Sequence, residues 1–183
     1  STINIETNNL LKQGMIALQY ALTQTGPMTM AASLGTAFLK TDPTLDTPDI
    51  QFHIQPFSAS APADGPHKFS AFTASVLQMR PESTGHIALK SANWRDHPAI
   101  HPNYLATKLD QDTIVKGIQI ARKIAQFEPL KAHITGEFTP GSGVALDNYD
   151  ATLTWARDNS VTIYHPTGTC KMGQDDMAVV DAR

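Results

Sequence analysis

The chain has 183 residues, 41% of them hydrophobic and 17% charged, with a formal net charge of −3. That apolar share supports a core and excludes wholesale disorder, and the lack of a basic stripe argues against a nucleic-acid partner. No apolar run approaches the roughly 20 residues of a membrane span, and the lone Cys170 leaves no internal disulfide and no cysteine-based zinc site, which suits a reducing, cytoplasmic setting.

Charged residues fall below the ~25% of ordinary domains. We read this as a surface that is partly covered by something else. No signal peptide is visible, because Ile3, Ile5, Leu10 and Leu11 are interleaved with Asn, Thr and Glu. Ser1 in place of Met is read as a processed or excised start. Leu11, Met15, Leu18 and Leu22 then recur at helical spacing. Asn8 or Asn9 can cap this helix, and Gly26-Pro27 ends it. Residues 28–47 carry no firm period and are expected to be irregular, with at most a short strand. Ile50, Phe52 and Ile54 alternate with Gln51, His53 and Gln55, the pattern of a half-buried strand stopped by Pro56. Residues 58–67 are a loop by composition.

Phe69 to Met79 reads as a long strand with Phe72, Ala74 and Val76 on one face. After a turn at Pro81–Gly85, His86 to Lys90 resumes alternation with Ile87 and Leu89 inward. Together these segments predict antiparallel hairpin pairing with a long loop. Pro98 and Pro102 keep residues 92–104 extended. Asp110 or Asp112 opens a helix with Ile114, Ile118, Ala121 and Ala125 as its buried stripe, Val115 and Ile124 beside it, and Arg122 and Lys123 at the end that favours cations. A Gly/Pro-rich loop follows at Thr139–Gly143. A last helix starts at Asp147, with Asp150 at the capping-box position and Tyr149, Leu153 and Ala156 facing in. Antiparallel strands with segregated helices define an α+β fold, a mostly antiparallel sheet with helices packed on one face.

The densest chemistry lies in Tyr164-His165-Pro166-Thr167-Gly168-Thr169-Cys170-Lys171-Met172-Gly173. Pro166 pushes His165 into an extended backbone, and Gly168 and Gly173 permit tight turns and close ligand approach. A rigid loop presenting one imidazole suits a general base; it equally suits a structural histidine in an ordinary turn.

The run TIYHPTGTCKMG, followed by AVVD, resembles the C-terminal motif of the glucose–methanol–choline (GMC) oxidoreductases, choline-dehydrogenase-like members above all. STGHIALKSANWRDHPAIHPNYL and DQDTIVKGIQIARKIA resemble, in order, the extended stretch and helix that precede it in that family. The resemblance implies an enzyme that oxidises a small-molecule alcohol by hydride transfer to FAD. It places the catalytic histidine on His165, gives Tyr164 a place in the substrate pocket (or in the core), and puts Pro166, Thr167 and Gly168 against the cofactor. No G-x-G-x-x-G fingerprint occurs, and the family's second active-site residue falls beyond Arg183. The expectation is therefore a substrate-binding domain over residues 1–160 and a segment over 161–183 that carries the histidine motif and leads back to an absent Rossmann-like FAD-binding half, its partner. The alternative is a binding or structural module with no activity of its own.

Other candidates are weaker. His97 and His101 are four apart, but Pro98 and Pro102 forbid the helix that would align them as metal ligands. Cys170 with His165 has the composition of a thiol nucleophile and base, without a third member or oxyanion element. His53 lies opposite Phe52, facing solvent or a partner domain.

Overall fold

The computed structural model describes residues 2–31, 33–60, 64–145 and 147–183. Two compact units emerge, Ser1–Arg80 with Lys116–Gly136, and Pro81–Val115 with Glu137–Arg183. The elements run α1 (Ile3–Thr7), α2 (Leu10–Thr23), β1 (Gly35–Leu39), β2 (Ile50–Gln55), β3 (Thr73–Gln78), β4 (His86–Ala88), β5 (Ala99–His101), α3 (Lys108–Ile124) and α4 (Tyr149–Asn159), with short 3-10 turns at Pro27–Thr29 and Lys131–His133.

The first unit is built on an antiparallel sheet in the order β1-β2-β3, with Phe52 opposite Ala37 on one side and Val76 on the other. The alternation read from sequence sets its two faces. Ile50 and Phe52 are buried and share a face with Val76. Helix α3 approaches that face at Gly117, in its middle turns. A Cβ on Gly117 would fall 2.5 Å from Val76 Cγ2, so only glycine lets the helix come this close. The opposite face carries Thr36, Gln51 and His53.

Asn4, fully buried in α1, staples the loop before β3. Its Nδ2 donates to the carbonyls of Ser58 and His67, each at 2.9 Å, and its Oδ1 accepts from Ser58 N at 3.0 Å. Residues 61–63 of the loop expected at 58–67 lie outside the described residues.

Helix α2 forms where its spacing predicts, capped by Asn9, whose Oδ1 accepts from Leu11 N and Lys12 N. It ends two residues before Gly26, at Gln24 in the left-handed conformation. Its apolar face is uncovered, with Leu11, Met15, Leu18 and Leu22 between 59% and 81% exposed.

The second unit holds the β4–β5 ribbon, the start of α3, α4 and the C-terminal tail. Here β4 pairs with β5 and not with β3. Ile87 and Leu89, expected inward, are exposed, because a two-stranded ribbon has no second layer of its own to cover a face. Thr107, not Asp110, caps α3: its Oγ1 accepts from Asp110 N at 3.2 Å. Asp110 sits inside the first turn, 1% exposed, and accepts from the backbone amides of Glu82 and Ser83 at 2.9 and 2.8 Å. The buried residues of α3 are Asp110, Thr113, Val115, Gly117 and Ile118, whereas Ile124 is exposed. Asn148, not Asp147, caps α4 by accepting from Ala151 N at 2.9 Å, and Leu153 and Ala156 are buried as the period requires. Tyr149 joins the two helices by donating its hydroxyl to Asp112 Oδ1 at 2.6 Å.

Among the described residues, no helix is long and apolar enough to cross a membrane.

Candidate active site

The histidine motif follows α4 as an irregular exposed loop. Local chemistry shapes it. Thr162 Oγ1 accepts from Tyr164 N at 3.0 Å, and Tyr164 takes a left-handed backbone with φ +62°. Gly168 turns the chain at φ +86°, where a Cβ would meet nothing within 4 Å. Beyond the turn, residues 171–173 are pinned to the AVVD segment. Met172 bridges Val180 in parallel, Gly173 N donates to Val180 O at 3.0 Å, and Val179 N donates to Lys171 O at 2.9 Å. Lys171 pairs with Asp175, and that bond together with the Met177 amide holds the Asp175 carboxyl below its usual range. The two halves of the sequence motif are thus one folded piece.

The loop borders an open groove of about 460 Å³ lined by Ile100, Pro102, Tyr104, Thr162, Tyr164 and Pro166. Four of the six lining residues come from aromatic rings or proline, a mostly apolar wall with two phenols and one hydroxyl as polar points. Four non-glycine residues among those described have positive φ, and three of them are here: Tyr164, and Asn103 and Leu105 on either side of Tyr104. Such conformations cost on the order of 1–3 kcal/mol each and collect at functional sites. His165 sits between two lining residues, exposed, and its ring makes no hydrogen bond among the described residues.

Of the residues predicted from sequence, Tyr164 and Pro166 line the groove, while His165, Thr167 and Gly168 stand in the adjoining loop. Tyr104, Ile100 and Pro102 were missed as lining residues. The signal was present in the Pro-rich stretch through Asn103-Tyr104-Leu105, where the extended reading gave no direction to the side chains. Cys170 is exposed. His53 bonds Gln51 Nε2 at 2.9 Å and lines a second groove of about 310 Å³ beside β1 and β2 of the first unit, with Ser33, Leu34, Gly35 and Thr36. No group of three or more metal-ligating side chains occurs among the described residues.

Residues 81–183 match the GMC oxidoreductase family model. The alcohol dehydrogenase [acceptor] of Pseudomonas putida is 35% identical over 177 residues, covering 94% of this chain and 31% of its own length. Mitochondrial choline dehydrogenase of Mus musculus is 37% identical over 175 residues, covering 94% of this chain and 29% of its own. Among solved structures, formate oxidase superposes with a TM-score of 0.79 at 20% identity, over 97% of this chain and 35% of that one. Pyridoxine 4-oxidase from Mesorbium loti superposes with a TM-score of 0.70 at 26% identity, over 82% and 30%. The chain therefore spans about a third of the length of the proteins it matches, their C-terminal third in the solved structures.

Proposed function

The chain belongs to the GMC oxidoreductase family, and from that premise we propose that it is the substrate-binding part of an FAD-dependent alcohol dehydrogenase of the choline-oxidising kind, with His165 as its catalytic base. The observation that carries this reading is the placement of His165 between Tyr164 and Pro166, two residues that line an apolar groove. An alcohol carbon body fits such a wall. The two tyrosine rings offer the negative faces that a quaternary ammonium group prefers.

Chemically, a hydride leaves a neutral alcohol with difficulty and leaves an alkoxide-like oxygen more easily. An imidazole within hydrogen-bond reach of the hydroxyl accepts its proton or stabilises the charge that develops on oxygen. FAD, when bound, supplies the acceptor for the hydride. The residues of this chain that fit an edge of that cofactor are Pro166, Thr167 and Gly168, because the turn at Gly168 is open and exposed and leaves backbone groups free to be approached. The chain has no phosphate-cradling glycine run, so these residues contact the cofactor while another part of the polypeptide, the FAD-binding half, holds it. In this reading the isolated chain has no activity of its own. A reducing, cytoplasmic setting remains part of it, given the single exposed thiol.

The test is His165→Ala in the full-length holoenzyme, followed by stopped-flow flavin reduction with choline and with a panel of primary alcohols. Reduction slowed by about 10²–10⁴-fold, the range for loss of a general base, is expected. Reduction at the wild-type rate with every alcohol would remove the role from His165.

A further inference from the structure

We propose that His86 and His101 form a two-imidazole site for a first-row divalent cation of the zinc, nickel or copper class, independent of the reading of His165. The two residues are direct cross-strand partners in the β4–β5 ribbon. Their rings stack with centroids 4.6 Å apart and planes 22° from parallel. Both are exposed, and neither ring makes a hydrogen bond among the described residues. Two other histidines are committed differently. The His67 ring nitrogens engage Ser58 and Ser60, and the His53 ring engages Gln51. Neutral imidazole is the common nitrogen ligand of this metal class. A tetrahedral zinc ion with Zn–N near 2.05 Å holds two ligand nitrogens about 3.3 Å apart. In the stacked arrangement the ring planes are 22° from parallel, so binding one ion requires both rings to turn about their side-chain torsions until a nitrogen of each faces it.

The scaffold around the pair is tied at the end of the ribbon where it sits. A Cβ on Gly85 would fall 2.0 Å from the carbonyl oxygen of His101 and 2.7 Å from that of Pro102, so the two strands meet there at a distance only glycine allows. Asn103 Nδ2 donates to Thr84 O at 3.1 Å. Ser83 Oγ accepts from Ala106 N at 2.9 Å and Thr107 N at 3.2 Å, and buried Asp110 holds the amides of Glu82 and Ser83. The backbone entering His86 and the backbone leaving His101 are thereby fixed before any cation arrives, which lowers the cost of binding. Solvent would fill the remaining coordination positions, so the site exchanges its ion readily and does not hold the fold together.

The experiment is isothermal titration of Zn²⁺ into the metal-stripped chain, with imidazole resonances followed by NMR. One saturable equivalent is expected, with the His86 and His101 resonances moving together. Losing a mere outer-shell partner of a ligand costs about 10- to 100-fold in metal affinity, so losing one of two ligands should cost at least about 10-fold. His101→Ala tests this directly. His86→Phe keeps an aromatic ring against His101 while removing the ligand nitrogens, so its loss of affinity cannot be assigned to a collapsed ribbon. His97→Ala and His133→Ala should bind as wild type. No saturable uptake, wild-type affinity in His86→Phe, or loss of affinity in His97→Ala would each overturn the site.

Discussion

Substituting Gly117 by Ala tests the packing of α3 on the sheet. The new methyl falls 2.5 Å from Val76 Cγ2, 3.6 Å from its Cβ and 3.7 Å from its Cγ1. Carbon atoms at optimal separation lie about 3.5–4.0 Å apart, so one contact must open by roughly 1 Å. Valine is stiff at χ1, and Val76 is paired in β3 opposite Phe52. Relief has to come from an off-rotamer side chain or a backbone shift, and overpacking of this kind costs about 1–3 kcal/mol. Alanine in place of glycine in a helix interior returns about 1 kcal/mol. The net expectation is a loss of roughly 1 kcal/mol. In a Val76→Ala background the close contact is gone and the helix preference alone remains. There, Gly117→Ala should stabilise by up to about 1 kcal/mol. Urea denaturation of the four proteins measures both effects, and the reversal of sign is the coupling between the two positions. The same change in stability in both backgrounds would refute the packing argument.

Two further predictions concern the second unit. Asp110→Ala leaves the amides of Glu82 and Ser83 without their acceptor at a cost of about 3 kcal/mol in all. That should lower Tm by roughly 6–12 °C for a chain of this size and speed hydrogen exchange at both amides; unchanged exchange there would show that Asp110 does not hold the ribbon. Desolvation, then the bond to Asp112, holds the Tyr149 hydroxyl above its ordinary 10.0, and bonds to Asp112 and Tyr149 hold Lys108 above 10.5. Both groups bind their protons more tightly when folded, so their stabilisation is complete below about pH 10 and is lost as pH rises through the raised folded values. Thermal melts of Tyr149→Phe should fall less steeply than wild type in that alkaline window, and equal slopes would sink the assignment.

The motif around His165 was legible because its backbone demands are local. Pro166 restricts His165, Gly168 turns the chain, and the pairing of KMG with AVVD spans only a few residues. The same locality explains why α2, α3, α4 and β2 formed where their periods placed them, whereas α1 was not foreseen and the buried side of α3 runs through Thr113, Val115 and Gly117 instead of Ile114, Ala121 and Ala125. Cap identities slipped by one residue at Asn148 and by three or five at Thr107, because several nearby short polar side chains can each serve and the helix start chooses among them.

Other features were decided by contacts that sequence spacing does not encode. Periodicity put Leu11, Met15, Leu18 and Leu22 on one face of α2 but could not say whether anything covers it, and the structure leaves that face open. That exposure accompanies the Val161–Val180 segment, where Val161, Met172 and Met177 are also largely exposed. Alternation alone could not choose between β3 and β5 as the neighbour of β4, since strand pairing depends on long-range closure and not on local pattern. That choice brought His101 to His86, where sequence spacing had set it beside His97. Sequence by itself determined the α+β class, the family and the loop that carries His165. Only the tertiary structure joined Ile100, Pro102 and Tyr104 to Tyr164 and Pro166, because a groove is made by segments some 60 residues apart, and no local preference records which distant backbone folds back against it.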